Sequence, residues 1–392
     1  AKELESSMNI NEEALKAHKE WQGKLDIVSK APLENKHDLS VDYTPGVAAP
    51  CLEIKDNPED AFIYTGRGNT VAVVSDGSAV LGLGNIGGLA GLPVMEGKCV
   101  LFKELGGVNA VPLVLNTQDA DVIVQTVAAL EPSFGGINLE DISAPNCFEI
   151  ERRLQEIMDI PVFHDDQHGT ACVVLAALIN ALKLVNKKAE DCTVAFSGAG
   201  AAGCAIARLL ADYGFQTIYM CDSKGIVTAE NASNAEKKEL AEKYNKDSKT
   251  GTLADAMKGA DIFIGVSKGG IVSEEMIRSM NKDAIVMAMA NPIPEILPEQ
   301  AKAAGARVVG TGRSDFANQI NNVLIFPALF RGALDAKATR ITEGMKMAAS
   351  KALADLISED ELKEDYVIVD ALDKRVGPKV AQAVAAQAEL EG

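Results

Sequence analysis

Lys98 stands in Met95-Glu-Gly-Lys98-Cys-Val-Leu-Phe102, directly ahead of an apolar run. Half buried there, its pKa would fall and leave a general base near neutral pH; the alternative is a lysine that snorkels to the surface. Two pairs of adjacent carboxylates, Glu140-Asp141 and Asp165-Asp166, follow the short apolar runs Gly136–Leu139 and Ile160–Phe163. Carboxylates at strand ends collect in the crevice where open α/β sheets bind ligands. Three or four such oxygens with no sulfur suit Mg²⁺ or Mn²⁺, and the competing reading is two solvated loops with ordinary acids. Tyr43, in Val41-Asp-Tyr43-Thr-Pro-Gly-Val47, opens a Pro-Gly turn and offers either a proton donor or a packing group. His164-Asp-Asp-Gln-His168 spaces two histidines as in the H-E-x-x-H zinc site, with Asp165 in the glutamate's place. The shorter base and the nearness of Pro161 to any helix through both histidines argue against a zinc hydrolase. That leaves the two as neighbours of the acids.

A second constellation is Val194-Ala-Phe-Ser-Gly198-Ala199-Gly200-Ala201-Ala202-Gly203, a G-x-G-x-x-G after an expected strand and at the mouth of an expected helix, Ala205–Leu210. The first glycine permits the tight turn, the second lets backbone approach a pyrophosphate, and the third allows close helix–strand packing. The next strand ends at Asp222, where a carboxylate would take ribose hydroxyls. That favours NAD, although Ser223 and Lys224 follow and a lysine there can pair with a 2′-phosphate, so NADP stays open.

These groups need elements to hold them. Asn11–Lys30 reads as an opening helix ended near Pro32, and short apolar runs at Val71–Val74, Cys99–Phe102 and Pro112–Leu115 alternate with helical patterns such as Asp119–Leu130. Gly169–Leu184 reads as a long buried helix, and the polar stretch Asn186–Asp191 marks a boundary. A second alternating series has strands at Thr193–Phe196, Thr217–Cys221, Ile262–Val266, Ala284–Ala288 and Val308–Thr311. Ala338–Leu390 is mostly helical in pattern. The expected class is α/β with two domains, the second a Rossmann-type doubly wound parallel sheet.

The chain has 392 residues, 47% hydrophobic and 24% charged, which suits two globular domains. Its 38 Lys and Arg against 56 Asp and Glu give a formal charge of −18. Such a chain is repelled by phosphate backbones and anionic bilayers, so neither nucleic acid nor membrane is an expected partner. Ala171–Val185, interrupted by Asn180 and Lys183, falls short of a membrane span. Seven scattered cysteines without a Cys-x-x-Cys pair, and a charged start without a signal-peptide core, lead us to expect reduced thiols and a cytoplasmic protein.

Taken together the motifs resemble the malic enzyme family, in its short bacterial type. The resemblance rests on Asp42-Tyr-Thr-Pro-Gly-Val47, Ser75-Asp-Gly-Ser-Ala-Val-Leu-Gly-Leu-Gly-Asn-Ile-Gly87, Glu96-Gly-Lys98 and Asn138-Leu-Glu-Asp141. It continues through Phe163-His-Asp-Asp-Gln-His-Gly-Thr170, the loop at Gly198, Asn291-Pro-Ile-Pro-Glu295 and Asn318-Gln-Ile-Asn-Asn322, in family order from about residue 40 to 335. It implies oxidative decarboxylation of L-malate to pyruvate and carbon dioxide, with oxaloacetate decarboxylation as a partial reaction, using NAD or NADP and Mg²⁺ or Mn²⁺. Position by position, Tyr43 matches the proton donor, Lys98 the general base and Asp165 the acid paired with it. Glu140, Asp141 and Asp166 match the metal ligands, while Asn291 and Asn322 fall where substrate and nicotinamide are contacted.

The resemblance also implies a homodimer and C-terminal helices that pack back on the first domain. The expected division is 1–163 for substrate and metal, 164–337 for the nucleotide and 338–392 for the returning helices. Where larger eukaryotic members carry a malate-clamping arginine, this chain has Ala79, so the expected clamp is Arg67 or a basic group of a second subunit. No acyltransferase-like extension follows, which points away from the long bacterial form. The rival readings are a plain 2-hydroxy-acid dehydrogenase, which needs no metal and releases no carbon dioxide, and a non-catalytic nucleotide-binding regulator.

Overall fold

The computed structural model describes residues 2–392, with side chains described from residue 9 onward. Four helices open the chain: α1 (Lys2–Trp21), α2 (Lys36–Asp42), α3 (Ala48–Asp56) and α4 (Ala61–Tyr64). Helix α1 ends at Gln22-Gly23, both at positive φ, so the expected run to Lys30 stops earlier than Pro32.

The first sheet is parallel, in order β2-β1-β3-β4, with β1 Thr70–Ser75, β2 Asn109–Val114, β3 Gly136–Leu139 and β4 Val162–His164. Between its strands run α5 (Gly87–Gly106), α6 (Ala120–Ala129) and α7 (Asn146–Ile157). The apolar run Cys99–Phe102 is not a strand; it lies within α5. Gly91, Met95, Cys99, Phe102 and Gly106 are the buried residues of that helix, and their spacing of three and four makes one helical face.

Helix α8 (Asp165–Val185) leads into the second half. There β5 (Thr193–Ser197), α9 (Ala201–Tyr213), β6 (Thr217–Asp222), β7 (Gly225–Ile226), α10 (Ala235–Tyr244), α11 (Leu253–Met257), β8 (Ile262–Gly265), α12 (Glu274–Arg278), β9 (Ala284–Ala288), α13 (Pro298–Ala303) and β10 (Ala306–Thr311) build a sheet of order β10-β9-β8-β5-β6-β7. All pairs are parallel except β6–β7. The strand order reverses between β5 and β8, which is where a doubly wound sheet opens its ligand crevice.

The two sheets share one core. A single apolar cluster runs from Val71, Val73 and Phe163 of the first sheet through α8 to Val194, Phe196 and Ile264 of the second. With sixteen buried residues, α8 is the middle layer. It is long and apolar enough to span a membrane, with a mean hydropathy of 1.7, but 78% of that window is buried inside the protein. Asn180, fully buried, donates to the carbonyls of Ala354 and Val367 at 3.0 Å each, which explains a polar side chain at the centre of this helix.

Three last helices follow: α14 (Phe326–Asp335), α15 (Glu343–Ala354) and α16 (Val376–Glu391). The segment between α15 and α16 is irregular. The return toward the first sheet begins with α14, ahead of residue 338, because Phe326 and Phe330 stack on Phe102 of α5 at 4.9 and 5.4 Å between centroids. Helix α16 packs on α14, and α15 packs on α8.

Candidate active site

Lys98 lies three turns into α5, on the side that faces the ends of β3 and β4. Its ammonium is 2.6 Å from Asp165 Oδ2 and 3.0 Å from Glu140 Oε2, with the side chain 10% exposed. The Phe326 ring of α14 lies beneath it, 3.9 Å from nitrogen to centroid. Burial acts to lower the lysine pKa, as the sequence suggests, but Asp165 and Glu140 outweigh it and hold the group above its ordinary value. The expected free amine is therefore not what this arrangement favours by itself; Lys98 is an ammonium clamped between carboxylates.

The acids come from two strand ends, as expected. Glu140 and Asp141 follow β3, and Asp141 turns the chain at φ 54°, a left-handed conformation aspartate tolerates better than most side chains. The turn is braced from the β1 loop. Ala79 donates its amide to Asp141 O, and Ser143 donates its amide to Ser78 Oγ. Asp165 and Asp166 open α8 after β4. Oxygens of Glu140, Asp141 and Asp166 lie within 4.8 Å of one another, and Asp166 is the member that opens to solvent.

Desolvation and then Glu140 push Asp141 up to about 7. Asp165 is also pushed up to about 7, by desolvation against the pull of Lys98. Desolvation, then Glu140 and Asp165, hold Asp166 well above the usual carboxylate range. Four carboxylates around one lysine leave unbalanced negative charge, and an all-oxygen donor set suits a hard divalent cation. Glu140, Asp141 and Asp166 thus fit a Mg²⁺ or Mn²⁺ ion.

Asn322, just ahead of α14, donates to Asp165 Oδ2 and joins the cluster. Gly169, one turn along α8, lets Asp165 lie flat, since a Cβ there would sit 2.2 Å from Asp165 Oδ1. Asn138 was visible in the sequence only as part of a motif. It is fully buried and donates to Glu140 Oε2 at 3.1 Å. The signal for it was a polar side chain inside a four-residue apolar strand. Phe326 carried no such signal.

Other expected residues stand apart from this cluster. Tyr43, at the end of α2, is 65% exposed and touches none of it. Arg67 is committed elsewhere: its guanidinium donates to Phe134 O at 3.1 Å and lies over the Phe62 ring. That is the start of β3, whereas the carboxylates follow its end, so Arg67 is no clamp for a ligand held by its own chain's acids. The zinc reading fails because α8 begins only at Asp165 and, among the described residues, neither histidine belongs to a cluster of potential metal ligands. The His164 ring is buried without a partner, and His168 bonds Glu151 at 2.8 Å.

The glycine loop spans Gly198–Gly203 between β5 and α9, at the point where the strand order reverses. Gly203 packs as expected, since a Cβ there would lie 2.2 Å from Gly198 O. At Gly200 a Cβ would meet nothing within 4 Å, leaving open space over the N-terminus of α9 where a pyrophosphate fits. Asp222 closes β6, accepting from Lys224 N at 2.9 Å with Lys237 Nζ 3.4 Å away. Asn291 follows β9, exposed, with its amide beside Gly312.

Comparison with known proteins agrees with this architecture. Residues 22–155 match the model of the malic enzyme N-terminal domain, and residues 167–389 that of the malic enzyme NAD binding domain. The bifunctional malic/malolactic enzyme of Bacillus subtilis is 58% identical over 98% of this chain and 94% of its own length. The NAD-dependent malic enzyme of Geobacillus stearothermophilus is 54% identical over 94% of this chain and 77% of its own. The crystal structure of malic enzyme from Pyrococcus horikoshii superposes with a TM-score of 0.94 at 47% identity, covering 98% of this chain and 91% of that one. Both halves of the chain, and the two strand ends that gather its carboxylates around Lys98, belong to one family, and this protein is a member of the malic enzyme family.

Proposed function

We infer that the protein oxidises L-malate and releases pyruvate and carbon dioxide, with oxaloacetate decarboxylation as a partial reaction. The observation that carries this reading is the cluster of Glu140, Asp141 and Asp166 beside the Lys98–Asp165 pair, in a chain whose second sheet has a dinucleotide loop. A divalent ion held by the three acids would polarise the C2 oxygen of the substrate, and a nicotinamide at the β5–β8 crevice would take the hydride.

Lys98 is placed to accept the C2 hydroxyl proton. Glu140, one of the two carboxylates that hold it charged, is also a cation ligand; engagement there weakens its hold, so burial counts for more against Asp165 in drawing Lys98 toward the neutral amine a base requires. Asp165 and Asn322 keep its nitrogen in place. Tyr43 is the donor of the proton at C3. Asp222 favours NAD over NADP, because a carboxylate opposes a 2′-phosphate, and Asn291 and Asn322 line the substrate and nicotinamide end.

The working unit we propose is a homodimer. No residue from 9 to 69 is buried, yet this stretch carries Leu15, Trp21, Ile27, Val28, Leu39 and Tyr43 in the open. A second copy would cover such a surface, enclose Tyr43 and bring the cation that neither Ala79 nor Arg67 supplies. In this scheme residues 1–163 handle substrate and metal, 164–337 the nucleotide, and 338–392 support both. The seven free thiols, six of them buried, fit the cytoplasm.

The test is an assay of L-malate with Mn²⁺ and either NAD or NADP, following reduced cofactor and pyruvate together. Equal rise of both, abolished by chelator, is expected. Reduction without pyruvate would instead mark a plain dehydrogenase. Lys98→Ala should lower kcat by roughly 10²- to 10⁴-fold with cofactor affinity kept.

A further inference from the structure

A cavity of about 260 Å³ lies away from the carboxylate cluster, where the loop before α15 crosses α7 and the first turns of α8. Glu151, His168, Thr339, Arg340, Glu343 and Lys346 are among its walls. Its deep carboxylate, Glu151, is already used. Glu151 accepts from His164 N at 2.6 Å through one oxygen and meets His168 Nε2 at 2.8 Å through the other. Lys346, a buried side chain, reaches Glu343 Oε1 at 2.9 Å and His168 Nδ1 at 3.2 Å. An ammonium only donates, so Nδ1 accepts and Nε2 carries the hydrogen toward Glu151.

What remains facing the cavity is mostly donors. The guanidinium of Arg340 has no hydrogen bond or ion pair among the described residues, and neither does the Thr339 hydroxyl. Lys346 keeps a third N–H. The one carboxylate oxygen left over belongs to Glu343, whose side chain is 62% exposed and turns to solvent. A space with spare cationic donors, whose inner carboxylate is already satisfied, is built for an anion.

We propose that this cavity is a binding site for a small oxyanion, the carboxylate or phosphate of a small metabolite, held by Arg340 and Lys346. The bonds from Lys346 through His168 and Glu151 to His164 N end on the residue that precedes α8.

The experiment is isothermal titration of the metal-free full chain at low salt, with inorganic phosphate and, separately, with succinate. Saturable binding of at least one is expected, weakened about ten- to hundred-fold in Arg340→Ala, the range for losing a charge-assisted bond. Arg340 is exposed and unpaired, so that variant should keep the wild-type melting temperature. Binding by phosphate alone or succinate alone supports the site and names the group it takes. No saturable binding by either, or equal binding in wild type and Arg340→Ala, overturns it; the second result would place the anion elsewhere on the protein.

Discussion

Asn138 and Gly169 show how single residues shape the carboxylate cluster. Asn138 lies between Val73 and Phe163 in the sheet register, on an otherwise apolar face, and its Oδ1 is buried without a partner. Burying an amide that is only half satisfied costs stability, so its use must lie in holding Glu140. Asn138→Leu is expected to weaken Mn²⁺ binding about ten-fold or more, as loss of a group that orients a ligand does, with little loss of fold stability; calorimetric titration and a denaturant melt check the two halves. Glycine inside a helix ordinarily costs ~1 kcal/mol against alanine. At residue 169 the sign should reverse, because the added methyl strikes Asp165 Oδ1. Gly169→Ala should destabilise by about 1–3 kcal/mol and lower kcat as Asp165 swings from Lys98, measured by urea midpoint and steady-state rate.

Elements decide where those residues meet. The carboxylates of two chain segments converge because β3 and β4 are adjacent and parallel, so both strand ends fall on one edge of the sheet. Lys98 reaches them from α5, a helix whose Cys99–Phe102 run reads locally as a strand. Its face becomes plain only over about four turns, through Gly91, Met95, Cys99, Phe102 and Gly106. In the second sheet, buried Glu295 ties two strand ends together. It accepts from Ser267 N at 3.1 Å and Ala290 N at 2.9 Å. Glu295→Gln turns one acceptor into a donor and leaves an amide unpaired, so a loss of about 1–3 kcal/mol is expected, with a raised KM for the nicotinamide cofactor. A melt equal to wild type would remove Glu295 from that role.

At the scale of the whole molecule, charge and uncovered surface make the predictions. Four carboxylates about one lysine repel each other, so a bound divalent ion should stabilise the fold by mass action. Millimolar Mn²⁺ is expected to raise the melting temperature and excess chelator to reverse it; no shift would count against the Glu140, Asp141 and Asp166 site. The apolar residues of the first four helices should bring two copies together. Light scattering should give twice the 41.4 kDa chain mass, and Leu39→Glu should shift the species toward the monomer. A wild-type monomer at working concentration would reject the dimer and leave Tyr43 in open water.

Much of the molecule was written locally. The strands of the second sheet, the glycine loop, Asp222 and the two acidic pairs depend on near neighbours in sequence and on period-two or turn chemistry, so they could be read without coordinates. So could the long apolar helix, because its burial is nearly all round. What folding alone decided are the relations between distant segments. These include Glu140 as a second partner of Lys98, Phe326 beneath the lysine, and Asn322 on Asp165, whereas the Lys98–Asp165 pairing was already implied by the family resemblance. The direction of the Lys98 pKa is the clearest case. Sequence shows the burial that lowers it, but the stronger upward pull comes from carboxylates 42 and 67 positions away, and Coulomb interaction depends on distance in space.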